Sequence, residues 1–308
     1  NVKGKGFSKK NIHQSGLFTS SDKGIFDRFR SRIMFPIFHS SGRAIAFGGR
    51  IFNSDDPAKY LNSPETPLYH KGSVLYGIQA TRDSIRKNGY AVLVEGYMDF
   101  LKLYQGSVSN ILAISGTAFT KNHVSTLNRI TKKVVLFYDG DDAGSNAAIK
   151  AGWVLLQEEL DPMVVRPPKG LDPDDWIDKI GKEKIAKEIS KPESFINFNI
   201  KFYEGKTLEG AERKEYIIQL AKEIKKIQDG IIRNDLIRII SSELKIDEKD
   251  FIRTLKTQRI LKTRTLDTNS IEKPKIIFTS KIEKAQLELI KLVLSSNNQI
   301  KEFVIKTI

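Results

Sequence analysis

Between residues 90 and 180, short apolar runs alternate with helical patterns, and no other feature of this sequence restricts the fold as tightly. Residues 91–94, 110–114, 133–138 and 163–166 form near-continuous apolar runs, the last closed by Pro167 and Pro168. Helical patterns fill the gaps at 98–105, 121–130 and 143–160. A strand that is apolar on both sides is buried on both faces, and intervening helices supply the crossovers that parallel strands need. The expected architecture is an α/β parallel sheet with flanking helices, with functional groups at the strand C-termini.

The sections on either side differ in texture. Up to about residue 77 the chain is rich in Gly, aromatics and turn residues. Strands are expected at 33–38 and 44–52, joined by a Ser40-Ser41-Gly42 turn, with an irregular stretch at 57–67. From 182 to 256 helical periodicity dominates. Ile217, Leu220, Ala221, Ile224 and Ile227 form one apolar stripe, and Ile232, Leu236, Ile239 and Ile240 another; both read as core. Residues 257–275 lose the pattern and read as a linker. Ile282, Ala285, Leu289, Leu292 and Val293 then begin a further amphipathic helix. The organisation expected is a basic mixed α/β subdomain at 1–85, the parallel-sheet subdomain at 86–180, a helical subdomain at 181–256, the linker, and a further region at 276–308.

Composition excludes several classes. A chain of 308 residues that is 40% hydrophobic buries real cores, so wholesale disorder is ruled out. No apolar run approaches the roughly 18–20 residues of a membrane-spanning helix. The chain starts without Met and without a secretory or transit signal, as a fragment would. With no Cys, these residues form no disulfide and no Cys-based zinc site, and the four His show no ligand spacing. A net charge of +14 favours a polyanionic partner. The basic residues crowd the first section, where Lys3, Lys5, Lys9, Lys10, Lys23, Arg28, Arg30, Arg32, Arg43 and Arg50 face only Asp22 and Asp27.

Three acidic motifs stand at strand ends. Glu95-Gly96-Tyr97-Met98-Asp99 follows the first run, Asp139-Gly140-Asp141-Asp142-Ala143-Gly144 the third, and Asp172-Pro173-Asp174 the fourth after a short loop. A parallel sheet brings all three to one edge. Carboxylates gathered there repel one another and need compensation. Mg²⁺ supplies it, binding a few carboxylates and completing its shell with water and phosphate oxygens. Asp139/Asp141 and Asp172/Asp174 share an i, i+2 spacing that can aim two acids at one ion. Plainer roles compete: Asp142 as a helix cap, Asp172-Pro173 as a turn. An EF-hand fails, because Ala143 and Lys150 occupy ligand positions. There is no phosphate-binding G-x-x-x-x-G-K-[ST] loop and no G-x-S-x-G elbow, and Gly48-Gly49 is too little for a nucleotide fingerprint.

An E-G-x-x-D element, then D-G-D-x-A-G, then D-P-D resembles the Toprim domain, and the fuller pattern resembles bacterial replicative DNA primase of the DnaG type. The blocks Arg28-Phe29-Arg30-Ser31-Arg32-Ile33-Met34-Phe35-Pro36-Ile37, Ala46-Phe47-Gly48-Gly49-Arg50 and Lys59-Tyr60-Leu61-Asn62-Ser63-Pro64-Glu65-Thr66 resemble further family motifs. The resemblance runs from about Asp27 to Ile180 and more weakly to about Lys256. It implies RNA primer synthesis from ribonucleoside triphosphates on single-stranded DNA, by metal-dependent nucleotidyl transfer in the bacterial cytoplasm. It implies Glu95, Asp139, Asp141, Asp172 and Asp174 as ligands of Mg²⁺ or Mn²⁺, with Asp99 closing the first motif. Glu95 could instead act as general base. Arg28, Arg30, Arg32, Arg50, Lys59, Tyr60 and Asn62 fall in segments that would meet nucleic acid or nucleotide. Tyr60 and Phe47 are the candidates for base stacking. The family also carries a zinc-binding module ahead of this core and a helicase-binding domain after it, of which 276–308 would be the start. Two readings compete: another Toprim enzyme (a nuclease or topoisomerase fragment), and a non-catalytic nucleic-acid- or helicase-binding module.

Overall fold

The chain opens with a short helix, α1 (Lys9–Gln14), and a hairpin of β1 (Phe18–Ser21) and β2 (Gly24–Asp27) in the computed structural model, which describes residues 5–22, 24–52 and 56–257. Thr257 apart, the linker expected at 257–275 and the region at 276–308 lie outside the described residues. β3 (Arg32–Phe38) and β4 (Ala44–Ile51) form the expected antiparallel pair. Gly42 makes their turn possible by holding φ at +85°. The stretch at 57–67, expected to be irregular, contributes β5 (Tyr60–Asn62) on the edge of β4. Three residues are too few to show alternation in a sequence. α2 (Ile78–Asn88) was likewise not expected: it buries only Ile78, Thr81 and Ile85, a stripe too sparse to read. It crosses the boundary placed at residue 85.

The alternation that follows appears as read. β6 (Tyr90–Val94), α3 (Tyr97–Gln105), β7 (Ile111–Ala113), α4 (Lys121–Leu127), β8 (Lys133–Leu136), α5 (Asp142–Gln157) and β9 (Asp161–Val164) succeed one another. β6 to β9 pair in parallel. After α6 (Pro173–Ile180) and α7 (Lys182–Ile189), a two-residue strand, β10 (Glu193–Ser194), pairs antiparallel with β9. The sheet order is β10-β9-β8-β6-β7. From β6 the chain thus moves to one side for β7 and to the other for β8 and β9. The direction reverses between β6 and β8, which makes the gap beyond their C-termini the switch point of the sheet.

Both faces are covered. Along β6, Ala91 and Leu93 join a core built with α2, α4 and α5, while Val92 and Val94 join one built with α3, α6 and α7. The first core extends through α8 (Phe195–Phe202), α9 (Gly210–Lys225), α10 (Gly230–Leu244) and α11 (Glu248–Thr257). The second apolar stripe differs from its reading in one place. Ile237 is buried at 5% exposure, whereas Ile239 is 44% exposed. Ile239 stands at i+3 from Leu236 and Ile237 at i−3 from Ile240, so either extends a helical stripe, and only the position of the neighbouring helices chooses between them.

The β3–β4–β5 sheet has a smaller core of Phe35, Ile37, Ala46 and Tyr69, completed by Tyr97 from α3. Tyr97 stacks on Phe35 with ring centroids 5.0 Å apart. A side chain at Gly48 would strike its ring at 2.6 Å. Gly48 therefore lets the β-rich section close over the end of the parallel sheet, and Gly49 makes room for Phe29 and Arg32 within that section.

Candidate active site

At the switch point the strands deliver acids. Glu95 directly follows β6 and Asp139 follows β8 by three residues, on neighbouring strands. They line a crevice of about 310 Å³ together with Asp99, Asp172 and Asp174. Arg50, Lys59, Tyr60 and Asn62 of the β-rich section form the facing wall. An acidic floor thus lies under a basic, aromatic wall.

Local geometry explains the spacing in each motif. In the first, the Asp99 carboxylate reaches back to accept from the Gly96 N–H at 3.1 Å, closing the first turn of α3. In the second, Asp141 caps α5, its Oδ1 accepting from the Gly144 N–H at 2.7 Å. The cap suggested for Asp142 thus falls one residue earlier, because the helix begins at Asp142 itself. Asp172 caps α6 in the same way, accepting from the Asp175 N–H at 2.6 Å. The two i, i+2 pairs are therefore not symmetric chelates. One acid of each pair serves a helix N-terminus, leaving Asp139 and Asp174 as the partners without a cap. Asp141 does not line the crevice, though its charge is felt by Glu95 and Asp139. The Gly140 N–H donates to the Leu171 carbonyl at 2.8 Å, which ties the second motif to the third.

Burial and crowding raise four of these acids, Glu95, Asp99, Asp139 and Asp174. Burial first, then the charges of Asp139 and Asp141, push Glu95 up to about 7 against the pull of the Asp139 N–H. Burial, with Asp139 and Asp172, brings Asp99 to about 7. Asp139 is raised to about 6 by burial and by Asp172 and Asp141. Asp174 is raised by burial, against the pull of Lys102. Glu95 Oε1 is buried without a hydrogen-bond partner. An orphaned carboxylate oxygen amid mutually repelling acids fits a hard divalent cation. Among the described residues no three acids close into a ready-made cage. Mg²⁺ in general needs only one or two protein carboxylates, its other positions being filled by waters and substrate oxygens.

A pH dependence follows. Acids raised above their ordinary value of about 4 stabilise the fold while protonated, and lose that contribution as pH rises through their folded values. The melting temperature of cation-free protein is expected to fall between about pH 5 and pH 8. Excess Mn²⁺ or Mg²⁺ should restore it near pH 8 and do nothing near pH 5, as thermal unfolding with chelator or cation will show. A cation effect of equal size at both pH values would contradict the assignment.

The basic residues divide by role. Arg50 lines the crevice with its guanidinium 5.7 Å from the Tyr60 ring centroid, and Lys59 and Tyr60 line it beside Arg50. Arg30 is exposed outside the crevice. Three expected nucleic-acid contacts are instead engaged within the protein. The Arg32 side chain is 1% exposed and donates to the carbonyls of Gly49 and Ala58 and to Asp56. Arg28 donates twice to the Asn62 carbonyl. Asn62 accepts from the Tyr97 hydroxyl at 2.8 Å and donates to the Ser115 carbonyl at 2.9 Å, pinning the β-rich section to the loop after β7. Of the stacking candidates, Phe47 is half-buried with its ring edge-on to Phe29, while Tyr60 is 37% exposed at the crevice. Arg32→Ala should therefore cost about 2 kcal/mol in urea unfolding, from the loss of the guanidinium's bonds to the two carbonyls and to Asp56. Its effect on nucleic-acid affinity should follow from that loss of stability alone.

Sequence reasoning missed Tyr97, Ser115 and Gly116, which also line the crevice. Ser115 and Gly116 both take positive φ, and a Ser-Gly pair after a strand was the available signal. It also missed Lys102, whose Nζ lies 3.9 Å from Asp174 and 2.7 Å from Asp178.

Comparison with known proteins places this geometry. Residues 1–82 match the family model for the N-terminal domain of the DNA primase catalytic core, and residues 92–177 a Toprim-like model. The chain is 35% identical over 247 residues to a DNA primase of Staphylococcus epidermidis, covering 79% of this chain and 41% of that one. It thus spans about two fifths of the length of the curated relatives it matches. A DNA primase domain from Pseudomonas aeruginosa superposes with TM-score 0.74 at 32% identity, covering 83% of each chain. A DnaG primase catalytic domain bound to single-stranded DNA superposes with TM-score 0.71 at 32% identity, covering 81% of each.

Proposed function

We propose, from the premise that the chain belongs to the bacterial DNA primase family, that it extends RNA on a single-stranded DNA template by divalent-cation-dependent nucleotidyl transfer. The observation that carries this reading is the placement of Glu95 and Asp139 on either side of the switch point, under a wall of Arg50, Lys59 and Tyr60. A Mg²⁺ or Mn²⁺ ion bound to these acids supplies charge neutralisation and an activated primer hydroxyl. Glu95 and Asp139 hold the cation, with Asp174 beside them; Asp141 and Asp172 fix the loops through their caps. Glu95, poised at about 7, is able to exchange a proton near neutral pH if it serves as base. Arg50 and Lys59 grip triphosphate or template phosphate, and Tyr60 offers a ring face to a base.

The sections 1–85, 86–180 and 181–256 act in this reading as basic wall, catalytic sheet and helical support. Residues 276–308 would lead toward a contact with a replicative helicase, and the site of action is the cytoplasm. Among the described residues no helix is long and apolar enough to cross a membrane.

The test supplies template DNA with a short annealed RNA primer, ribonucleoside triphosphates and Mg²⁺ or Mn²⁺. Cation-dependent extension in the order dictated by the template is expected. Cleavage of the template, or binding without extension, would overturn the reading.

A further inference from the structure

One side chain of the wall does more than line the crevice. Asn62 ends β5, and its amide is tied to the backbone that carries Glu95 from two directions. The Oδ1 atom accepts at 2.8 Å from the hydroxyl of Tyr97, two residues after Glu95. The Nδ2 atom donates at 2.9 Å to the Ser115 carbonyl, and the Ser115 N–H donates in turn to the Glu95 carbonyl at 3.0 Å. Ser115 is buried with its φ at +64°, a left-handed conformation that persists in a residue with a side chain only where its surroundings impose it. Here its N–H is bonded to Glu95 and its carbonyl to Asn62. Asn62 is itself held from behind. Arg28 donates twice to its carbonyl, and it pairs in register with Gly48 of β4, whose missing side chain leaves room for the Tyr97 ring.

We propose that Asn62 is a positioning residue, which brackets Glu95 and sets the acidic floor against the basic wall, and is not a contact to nucleotide. This rests on the reading in which Glu95 holds the cation, and it adds the group that fixes where Glu95 stands. Residues that orient a cation ligand matter nearly as much as the ligand itself. The wall does not depend on the bracket, because β5 stays paired with β4 and tied to Arg28 through backbone groups. Losing the amide therefore frees the floor and leaves Lys59 and Tyr60 in place.

Asn62→Ala removes the amide and keeps those backbone bonds. Mn²⁺ affinity in the absence of nucleotide, read from the signal of free Mn²⁺, is expected to fall about tenfold. The kcat for primer extension should fall with it, while KM for the ribonucleotide stays unchanged. Tyr97→Phe, which removes one arm of the bracket, should also weaken Mn²⁺ binding, and should add nothing in the Asn62→Ala background. Unchanged Mn²⁺ affinity with a raised KM, the signature of a direct nucleotide contact, would overturn the proposal. So would an equal loss of Mn²⁺ affinity in Arg32→Ala, which loosens the same section without touching the bracket. If Asn62→Ala does not fold, Tyr97→Phe carries the test: weakened Mn²⁺ binding supports the proposal, and wild-type binding overturns it. Wild-type protein that binds Mn²⁺ but does not extend primers defeats the polymerase reading alone, since the affinity comparison still decides the role of Asn62.

Discussion

Replacing Asp139 by Ala should lower primer extension by about a thousandfold, because a cation held there would supply several kcal/mol of charge neutralisation to the transition state. The fold should survive. Asp139 is the leading charge that raises both Glu95 and Asp99, so its removal relieves repulsion in the cation-free protein. Near pH 8 the variant should melt at or above the wild-type temperature without cation, and gain little from added Mn²⁺. That opposition, lost activity with kept or improved stability, separates a catalytic acid from a structural one. Steady-state extension and thermal unfolding on one preparation measure both. Extension within about tenfold of wild type would remove Asp139 from the mechanism.

The second large effect belongs to Gly140→Ala. A Cβ there would lie 2.4 Å from the Pro168 carbonyl oxygen and 2.9 Å from those of Leu171 and Pro167. The requirement is for space, since Gly140 is not among the residues with positive φ. All three obstacles are backbone, so no side chain can swing aside. Either the Pro167–Leu171 loop moves, carrying Asp172 and Asp174, or Asp139 moves. Overpacking of this kind costs about 3 kcal/mol. Displacing a catalytic group by about 1 Å costs about a hundredfold in rate. Urea unfolding and extension kinetics should both show the loss. A variant with wild-type midpoint and rate would mean that the two acidic motifs are not held together at this glycine.

The parallel sheet was legible because strands buried on both faces must be apolar throughout, as 91–94 and 134–136 are. The acids were legible because a parallel sheet sends every strand C-terminus to one edge. Which acid does what was not legible: an Asp that caps a helix and an Asp that faces a cation look alike in sequence. Only the positions of the Gly144 and Asp175 N–H groups assign Asp141 and Asp172 to caps. Strand order was hidden for a similar reason, since nothing local in β6 says that β7 and β8 flank it. Arg32 was misread because a buried guanidinium and a phosphate-binding one share the same basic motif, and the carbonyls of Gly49 and Ala58 that claim it are distant in sequence. Asn62 lines the crevice, but its hydrogen bonds run to Tyr97 and Ser115, partners that only the folded chain brings near.

The central claim is that the crevice between Glu95 and Asp139 is where the cation that drives nucleotide addition is held. Replacing that cation with Fe²⁺ and generating hydroxyl radicals in place cuts the backbone next to the bound ion. The account predicts cuts clustered around Glu95, Asp139 and Asp172, suppressed by excess Mg²⁺ and absent from Asp139→Ala. Cuts elsewhere in the chain, or the same cuts persisting undiminished in Asp139→Ala, would contradict it.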